Sequence, residues 1–192
     1  MSQLPLLLER LAALIQQSVR EEALRHGLQP VHLQILAYLA RANRYSALPI
    51  AIAEYLGITR GTVSQSLALL ERKGFIAKAP DEQDARRVQL RLTPAGETLL
   101  AGGWSERLDA ALVAMGVDRE ALETELRALL VGLQRSNGQR PFGICRRCAH
   151  FLRQAGEARC GLTGESLAEA QTEKLCREWT APVTAAAWEA QD

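Results

Sequence analysis

The chain has 192 residues, of which 47% are hydrophobic and 23% charged, and its formal net charge is +1. That composition is ordinary for a globular protein, and the balanced charge neither requires nor excludes a nucleic-acid partner, because a local basic patch is enough to bind one. No stretch is long and apolar enough to span a bilayer, and the N-terminus lacks the features of a signal peptide, so we expect a cytoplasmic protein without a membrane partner.

The first predicted helix begins at about Leu4 and runs to about Arg25, where His26 and Gly27 end it. Its leucines recur at three- and four-residue spacing, which indicates one wide apolar face. Such a face at a chain terminus packs either on the core of its own subunit or against a second subunit. The sequence leaves both arrangements open.

Further helices follow in quick succession. Pro30 is suited to the first turn of a second helix, and glycine at 57 is a good stop for a short third one. Thr59 is a good N-cap for a fourth helix, because its hydroxyl accepts a hydrogen bond from the first turn. The predicted third and fourth helices span residues 47–56 and about 60–73.

The pattern then changes to the two-residue period of a strand. Residues 75–78 (FIAK) predict a short strand, residues 79–87 are polar with turn residues, and residues 88–92 alternate apolar and polar side chains. This combination predicts a β-hairpin with a long, charged tip.

The next segment returns to helical spacing. Thr93 and Pro94 begin a long helix to about Met115, and the glycine pair at 102–103 inside it predicts a bend. Asp118 caps a last helix of leucine-rich spacing, and residues 136–138 read as a linker.

The junction of the third and fourth helices has the spacing of a helix–turn–helix. A small residue, Ala53, stands where the two helices approach, Gly57 stands at the turn, and Val63 locks the second helix onto the first. Because the hairpin follows directly, the sequence predicts a mainly α fold with a small β wing.

The fourth helix has the properties of a recognition helix. Its outer face is small and polar, which suits close contact with base edges in a major groove. Gln65 has the geometry for a bidentate contact with adenine, and Arg60 reaches a guanine or a phosphate. A solvated surface helix is the alternative. The residues assigned to DNA on this helix are Arg60, Thr62, Ser64 and Gln65.

The hairpin carries the most specific motif. Residues 81–87 read DEQDARR, residues 90–96 read LRLTPAG, and residues 69–76 read LLERKGFI. Over residues 1–135, this chain resembles the MarR family of bacterial transcription regulators, whose wing typically reads Asp-x-x-Asp-x-Arg and whose next helix starts at Leu-Thr-x-x-Gly.

The resemblance implies a homodimer, built by the terminal helices, that binds a pseudo-palindromic site in double-stranded DNA. It implies that each recognition helix enters a major groove and that each wing enters a minor groove. Arg86 matches the arginine inserted into the minor groove, Asp84 matches the aspartate that steadies it, and we assign Arg87 to the DNA contact as well. A narrow minor groove concentrates negative potential and so attracts a guanidinium.

All cysteines of the chain lie in the segment 139–192, which we expect to be a separate C-terminal unit. The four are Cys145, Cys148, Cys160 and Cys176. A segment of this size buries little core, and metal ligation is a common substitute for one. The close pair at 145 and 148 brings two sulfurs from one turn to one centre. Unrelated free thiols and disulfides are the alternatives, the latter disfavoured in a reducing cytosol.

The identity of the cofactor stays open between an iron–sulfur cluster and zinc. Zinc ribbons usually pair two Cys-x2-Cys knuckles, whereas this segment has only one. Phe151 and Trp179 each follow a cysteine by three residues, a pattern that resembles high-potential-type iron–sulfur proteins, in which aromatic residues shield the cluster. This favours a 4Fe–4S cluster over zinc. His150 is a further candidate ligand, although packing or surface exposure suits it better.

Three functions remain in view. The first is a regulator that senses redox state, oxygen or iron through the cysteines, with the signal altering the spacing of the two winged helices because the cysteines follow the last helix. The second is a MarR repressor with structural zinc that senses a small molecule, with Trp104 and Tyr38 as conceivable lining residues. The third is an electron carrier or redox enzyme on a winged-helix scaffold. We expect no enzyme, because the sequence lacks a nucleophile–base constellation and a glycine-rich phosphate loop.

Overall fold

The computed structural model describes residues 3–80, 88–154 and 156–182. The helices are α1 (Leu4–Arg25), α2 (Pro30–Arg41), α3 (Pro49–Leu56), α4 (Arg60–Arg72), α5 (Pro94–Leu100), α6 (Trp104–Ala114), α7 (Arg119–Ser136) and α8 (Glu169–Thr172). The strands are β1 (Ile76–Pro80), β2 (Val88–Leu92), β3 (Gly143–Ile144), β4 (Phe151–Gln154), β5 (Glu157–Cys160), β6 (Ser166–Leu167) and β7 (Leu175–Cys176). The structure confirms the predicted mainly α fold with a small antiparallel wing.

The winged-helix part follows the predicted order. Helices α1, α2 and α4 begin where the sequence placed them, and β1 pairs antiparallel with β2 from Ile76 opposite Leu92 to Pro80 opposite Val88. Helix α3 starts two residues later than predicted, at Pro49. Proline lacks the backbone N–H and has φ near the helical value, so it is suited to the first helical turn.

The helix predicted from Pro94 to Met115 with a bend is wrong in one respect, because the structure divides it into two helices. Helix α5 ends at Leu100 and α6 starts at Trp104, with the glycine pair between them. Gly102 has a φ of +69°, which no α-helix contains. One residue in this left-handed conformation ends the ladder of i to i−4 hydrogen bonds, so the chain breaks here instead of bending.

The main core is centred on α2. Ile35, Leu36 and Tyr38 of this helix are fully buried, and they meet apolar side chains of α3, α4 and both wing strands. Phe142, which follows α7, also belongs to this core. The phenol of Tyr38 lies edge-on to the Phe142 ring with 6.4 Å between the centroids. The C-terminal segment is therefore attached to the winged helix by a buried aromatic side chain.

The C-terminal segment, residues 139–182 of the described chain, is called the cysteine module from here on. It contains the strand pair β3–β7 and the antiparallel sheet β4–β5–β6. Its own core is small and consists mainly of Cys145, Ala158 and Leu167. Strand β7 also forms a parallel bridge from Leu175 to Ala42 at the end of α2. The module thus folds back over the α2–α3 loop.

Candidate DNA-binding surface and cysteine site

The helix–turn–helix has the predicted geometry. Gly57 ends α3 with a φ of +64°, the left-handed conformation that the tight turn requires. Ala53 and Val63 are buried on either side of this turn. The Thr59 hydroxyl accepts a hydrogen bond of 3.1 Å from the Thr62 amide, which satisfies one free donor of the first turn of α4.

The recognition face of α4 is exposed. Val63, Leu67 and Leu70 are buried on its inner side. The side chains assigned to DNA on the outer side, Arg60, Thr62, Ser64 and Gln65, are all exposed. The helix therefore presents an exposed polar face, which suits close contact with base edges in a major groove.

The wing stem is described, but its tip is not. An ion pair of 2.6 Å between Lys78 and Glu71 ties the base of the wing to α4. Asp84, Arg86 and Arg87 lie outside the described residues, so their contact with a minor groove stays a prediction.

The four cysteines line one cavity of about 610 Å³. The amide of Cys148 donates a 3.0 Å hydrogen bond to the carbonyl of Cys145, which closes the predicted turn. Strand pairing brings in the other two, because β7 lies beside β3 and β5 places Cys160 opposite Phe151. Tertiary structure thus gathers residues that are up to 31 positions apart by sequence number (176 − 145).

Cys145 and Cys176 are held in an environment that disfavours the uncompensated charge of their thiolates. Burial, together with the neighbouring cysteines, raises the pKa of Cys145 to about 12. Burial also raises the pKa of Cys176, partly offset by hydrogen bonds from the Asn43 side chain and the backbone of Glu178. A cation bound between such thiols reverses this preference and deprotonates them.

The described cysteines are all free thiols. Among the described residues, no three His, Cys, Asp or Glu side chains are arranged closely enough to hold a single metal ion.

The aromatic side chains expected to shield a cofactor have two different positions. Phe151 lines the cavity, as does His150. Trp179 packs behind the site, where its indole N–H donates a 2.9 Å hydrogen bond to the carbonyl of Arg147. A Cβ on Gly143 would come within 2.4 Å of this indole, so the close approach requires glycine.

The opposite wall of the cysteine cavity belongs to the DNA-binding elements. Leu48, Pro49 and Ile50 at the start of α3 line it, together with Val88 at the base of the wing. The sequence did not predict this position of the cysteines.

Polar contacts hold the module against α3 and the α2–α3 loop. Arg177, directly after the last cysteine, forms two hydrogen bonds with the Glu54 carboxylate, of 2.6 and 2.8 Å. Its amide donates a 2.7 Å hydrogen bond to the buried Ser46 hydroxyl. The Arg177 guanidinium holds the pKa of Glu54 below its ordinary value, despite partial burial. Sequence reasoning missed Asn43, Ser46 and Glu54, because no local motif marks them.

A second cavity, of about 460 Å³, lies between α1, α2 and the start of α6. Tyr38 and Trp104 line it, as the hypothesis of a small-molecule sensor predicts. Glu22 also lines it, and its carboxylate oxygen Oε2 is buried without a hydrogen-bond partner among the described residues. Buried carboxylates usually have such partners, so this orphan oxygen marks the cavity as a candidate ligand site.

Comparison with known proteins extends over about two thirds of the chain. A family model described as "MarR family" matches residues 26–87. The HTH-type transcriptional regulator PecS of Dickeya dadantii (strain 3937) is 30% identical over 124 residues, which are 64% of this chain and 75% of that protein.

Solved structures are similar to the same part of the chain. MepR of S. aureus in its DNA-binding conformation is similar with a TM-score of 0.56 and 25% identity, over 69% of this chain and 96% of that one. The S. aureus MepR–DNA complex has the same fold, with a TM-score of 0.52 and 24% identity over 68% of this chain and 93% of that one. Within the described residues, the helices are all too short or too polar to cross a membrane.

Proposed function

The chain belongs to the MarR family of DNA-binding winged-helix transcription regulators, and from that premise we propose that a cofactor on its four C-terminal cysteines modulates its binding to DNA. The observation that carries this proposal is the single cavity shared by all four cysteines and the helix–turn–helix. Members of this family are transcription regulators and not enzymes, which argues against the hypothesis of an electron carrier or redox enzyme.

We assign the contacts with DNA to α4 and the wing. Arg60, Thr62, Ser64 and Gln65 contact a major groove, and Asp84, Arg86 and Arg87 serve the minor groove. The exposure of the four described side chains supports the first assignment. Binding to DNA and reduced thiols both fit the cytoplasm.

The regulator acts as a homodimer on a pseudo-palindromic operator. In the described chain neither α6 nor α7 buries any residue, although both carry leucines at helical spacing. Leu6 and Leu11 of α1 are 67% and 53% exposed. Amphipathic helices gain their stability by burying such faces, and a second copy of the chain supplies the same faces by two-fold symmetry. Sedimentation equilibrium tests this, since a monomer at micromolar concentration would contradict it.

The cofactor is a 4Fe–4S cluster, with zinc as the alternative. A cavity of about 610 Å³ with Phe151, Leu162 and Leu167 in its wall offers more room than one tetrahedral ion needs. Apolar surroundings and hydrogen bonds to the sulfurs are the features by which proteins adjust iron–sulfur potentials. The four cysteines would hold the cluster, and its change of charge would be the signal.

Anaerobic purification followed by a visible spectrum and metal analysis tests the cofactor. Iron, sulfide and a broad band near roughly 400 nm support the cluster, because thiolate-bound iron is coloured. A colourless protein with about one zinc per chain makes the module a structural one.

A second candidate function is the sensing of a small molecule in the cavity of Glu22, Tyr38 and Trp104. The orphan Glu22 oxygen favours a ligand with a cationic or hydrogen-bond-donating group. Thermal shift against a library of amines and amides tests it, with Glu22→Gln as the matched variant. A ligand that stabilises both chains equally does not use this carboxylate.

A further inference from the structure

The cysteine site has two walls with different origins. One wall is the module, and the other is formed by the start of α3 and by Val88 of the wing. Helix α3 packs against the recognition helix α4, and the wing follows α4 in the chain. A change in the site therefore acts directly on residues of the helix–turn–helix and of the wing, within one subunit.

Cys176 is the cysteine with the most direct connection to the winged helix. The Asn43 side chain lies beside its sulfur, and the amide of the next residue, Arg177, donates a 2.7 Å hydrogen bond to the Ser46 hydroxyl. The Asn43 side-chain oxygen Oδ1 accepts a 2.7 Å hydrogen bond from the Ser46 hydroxyl, which leaves the side-chain NH2 group to face the sulfur. Both Asn43 and Ser46 are fully buried. Since buried polar groups in a satisfied network have little freedom, the position of this sulfur is tied to the α2–α3 loop.

Arg177 extends the connection to α3 and toward α4. Its guanidinium donates two hydrogen bonds to the Glu54 carboxylate. Glu54 also lies within electrostatic reach of Arg60, the first residue of the recognition helix. A bidentate arginine–carboxylate pair fixes geometry as well as charge, so a shift of Cys176 is passed through Arg177 to α3.

The side-chain connection to the proposed dimer helices is weaker. Among the described residues, an ion pair of 3.5 Å joins Arg147 of the module to Glu123 of α7, and Arg127 also pairs with this carboxylate. The Glu123 side chain is half exposed, and exposed pairs of this length contribute little. The sequence-based hypothesis of a signal through the last helix therefore has less structural support than a signal through α3.

We propose that the state of the cysteine site is transmitted to DNA binding within one subunit, through Cys176, Asn43, Arg177 and Glu54, and not through α7. This inference rests on the proposed function, because it requires a cofactor on the cysteines. A loaded site holds Cys176 and Arg177 in place, so α3 and the base of the wing are ordered before DNA arrives. Pre-ordered elements cost less to dock, so the loaded chain binds its operator more tightly than the empty one.

The test compares loaded and empty protein. Wild type, Glu54→Gln and Glu123→Gln are reconstituted anaerobically with ferrous iron and sulfide, and a chelator-treated sample of each provides the empty form. The dissociation constant for a duplex selected from random sequences by the loaded wild type is measured at one salt concentration. The readout is the dissociation constant of the empty form divided by that of the loaded form. A ratio is needed because removal of the Glu54 charge beside Arg60 changes DNA affinity by itself.

We expect a ratio of about ten for wild type, within the usual range of coupling between two sites. Glu54→Gln should load fully and bring the ratio close to one, while Glu123→Gln should keep the wild-type ratio. A wild-type ratio kept by Glu54→Gln, or lost in Glu123→Gln, overturns the intrasubunit route. A loaded wild type with a ratio of one instead overturns the proposed function, and the inference with it.

Hydrogen exchange on the wild type alone tests the same route without any variant, and it covers the case in which Glu54→Gln misfolds. Loading should slow exchange of the amides of α3, residues 49–56, more than those of α7, residues 119–136. Protection confined to α7 would assign the signal to the dimer helices and overturn the proposal.

Discussion

Gly143 lies against the ring of Trp179, and a Cβ at this position would come within 2.4 Å of two ring atoms and 2.7 Å of a third. Trp179 is itself buried and anchored to the Arg147 carbonyl, so the ring has little room to withdraw. The contact therefore determines how β3 is placed beside β7, and with it the positions of Cys145 and Cys176.

Gly143→Ala should destabilise the module by about 1 to 3 kcal/mol through overpacking. Because β3 precedes Cys145 directly, the variant should also retain less iron or zinc per chain. Metal analysis and urea unfolding measure both effects. Combined with Trp179→Ala, the glycine substitution should cost less than it does alone, since the two changes affect one contact. Strictly additive effects would contradict this contact.

Thr59→Ala should weaken the start of the recognition helix. The Thr59 hydroxyl is the acceptor for the Thr62 amide, and loss of such a cap typically costs about 1 kcal/mol. Thr59→Ser keeps the acceptor and is the matched control. Urea unfolding followed by circular dichroism gives the comparison, and equal stability of the alanine and serine variants would mean that the cap contributes nothing.

The stability of the fold should decrease in mild acid because of His32. Burial lowers the pKa of His32, and the charge of Lys73 lowers it further. The unfolded chain, with a pKa near 6.5, takes up a proton before the folded one does. The stability that neutral His32 supplies is therefore complete above this value, and it is lost as the pH falls from there through the lowered folded-state pKa.

His32→Gln is the matched variant for this effect. The imidazole Nδ1 accepts a 3.1 Å hydrogen bond from the Gln29 amide, and glutamine at this third helical position is a usual acceptor for the same amide. The variant should lose less stability than wild type between about pH 7 and about pH 5, a range around the reference value for histidine. Urea midpoints across that range measure the difference, and parallel curves would exclude His32 as the titrating group.

Gln65→Ala should change base preference more than overall affinity. Gln65 is exposed on the recognition face, and a bidentate amide contact to adenine contributes about 1 to 3 kcal/mol of discrimination. Binding to a library of operators with every base at each position measures the preference. Uniform weakening on all sequences would mean that Gln65 only positions the helix.

Arg86→Ala should weaken binding and reduce the slope of log affinity against log salt by about one, because a contact to the phosphate-lined minor groove is lost. Arg119→Ala, which removes an arginine of α7 paired with Asp109, is the charge-matched control and should leave the slope unchanged. An unchanged slope in Arg86→Ala as well would remove this arginine from the DNA contact.

Local chemistry explains why the winged helix could be predicted from the sequence. The spacing of Ala53, Gly57 and Val63 follows from the geometry of two helices joined by a tight turn, and the Thr59 cap acts within one helical turn. Each of these requirements is met by residues close in sequence, so a pattern can reveal them. The sequence predicts a bend at Gly102 where the structure has a break, because spacing shows that a helix is weakened but does not show the φ that the tertiary fold selects.

The sequence by itself determined that four cysteines in one short segment belong together, since the Cys145–Cys148 turn is a local feature. Only the tertiary structure decided where that site lies. Phe142 enters the winged-helix core, Leu175 pairs with Ala42, and Arg177 binds Glu54 across 123 residues. Such contacts depend on which surfaces remain unburied once α2 and α3 have folded, a property of the whole packed core that no local pattern records.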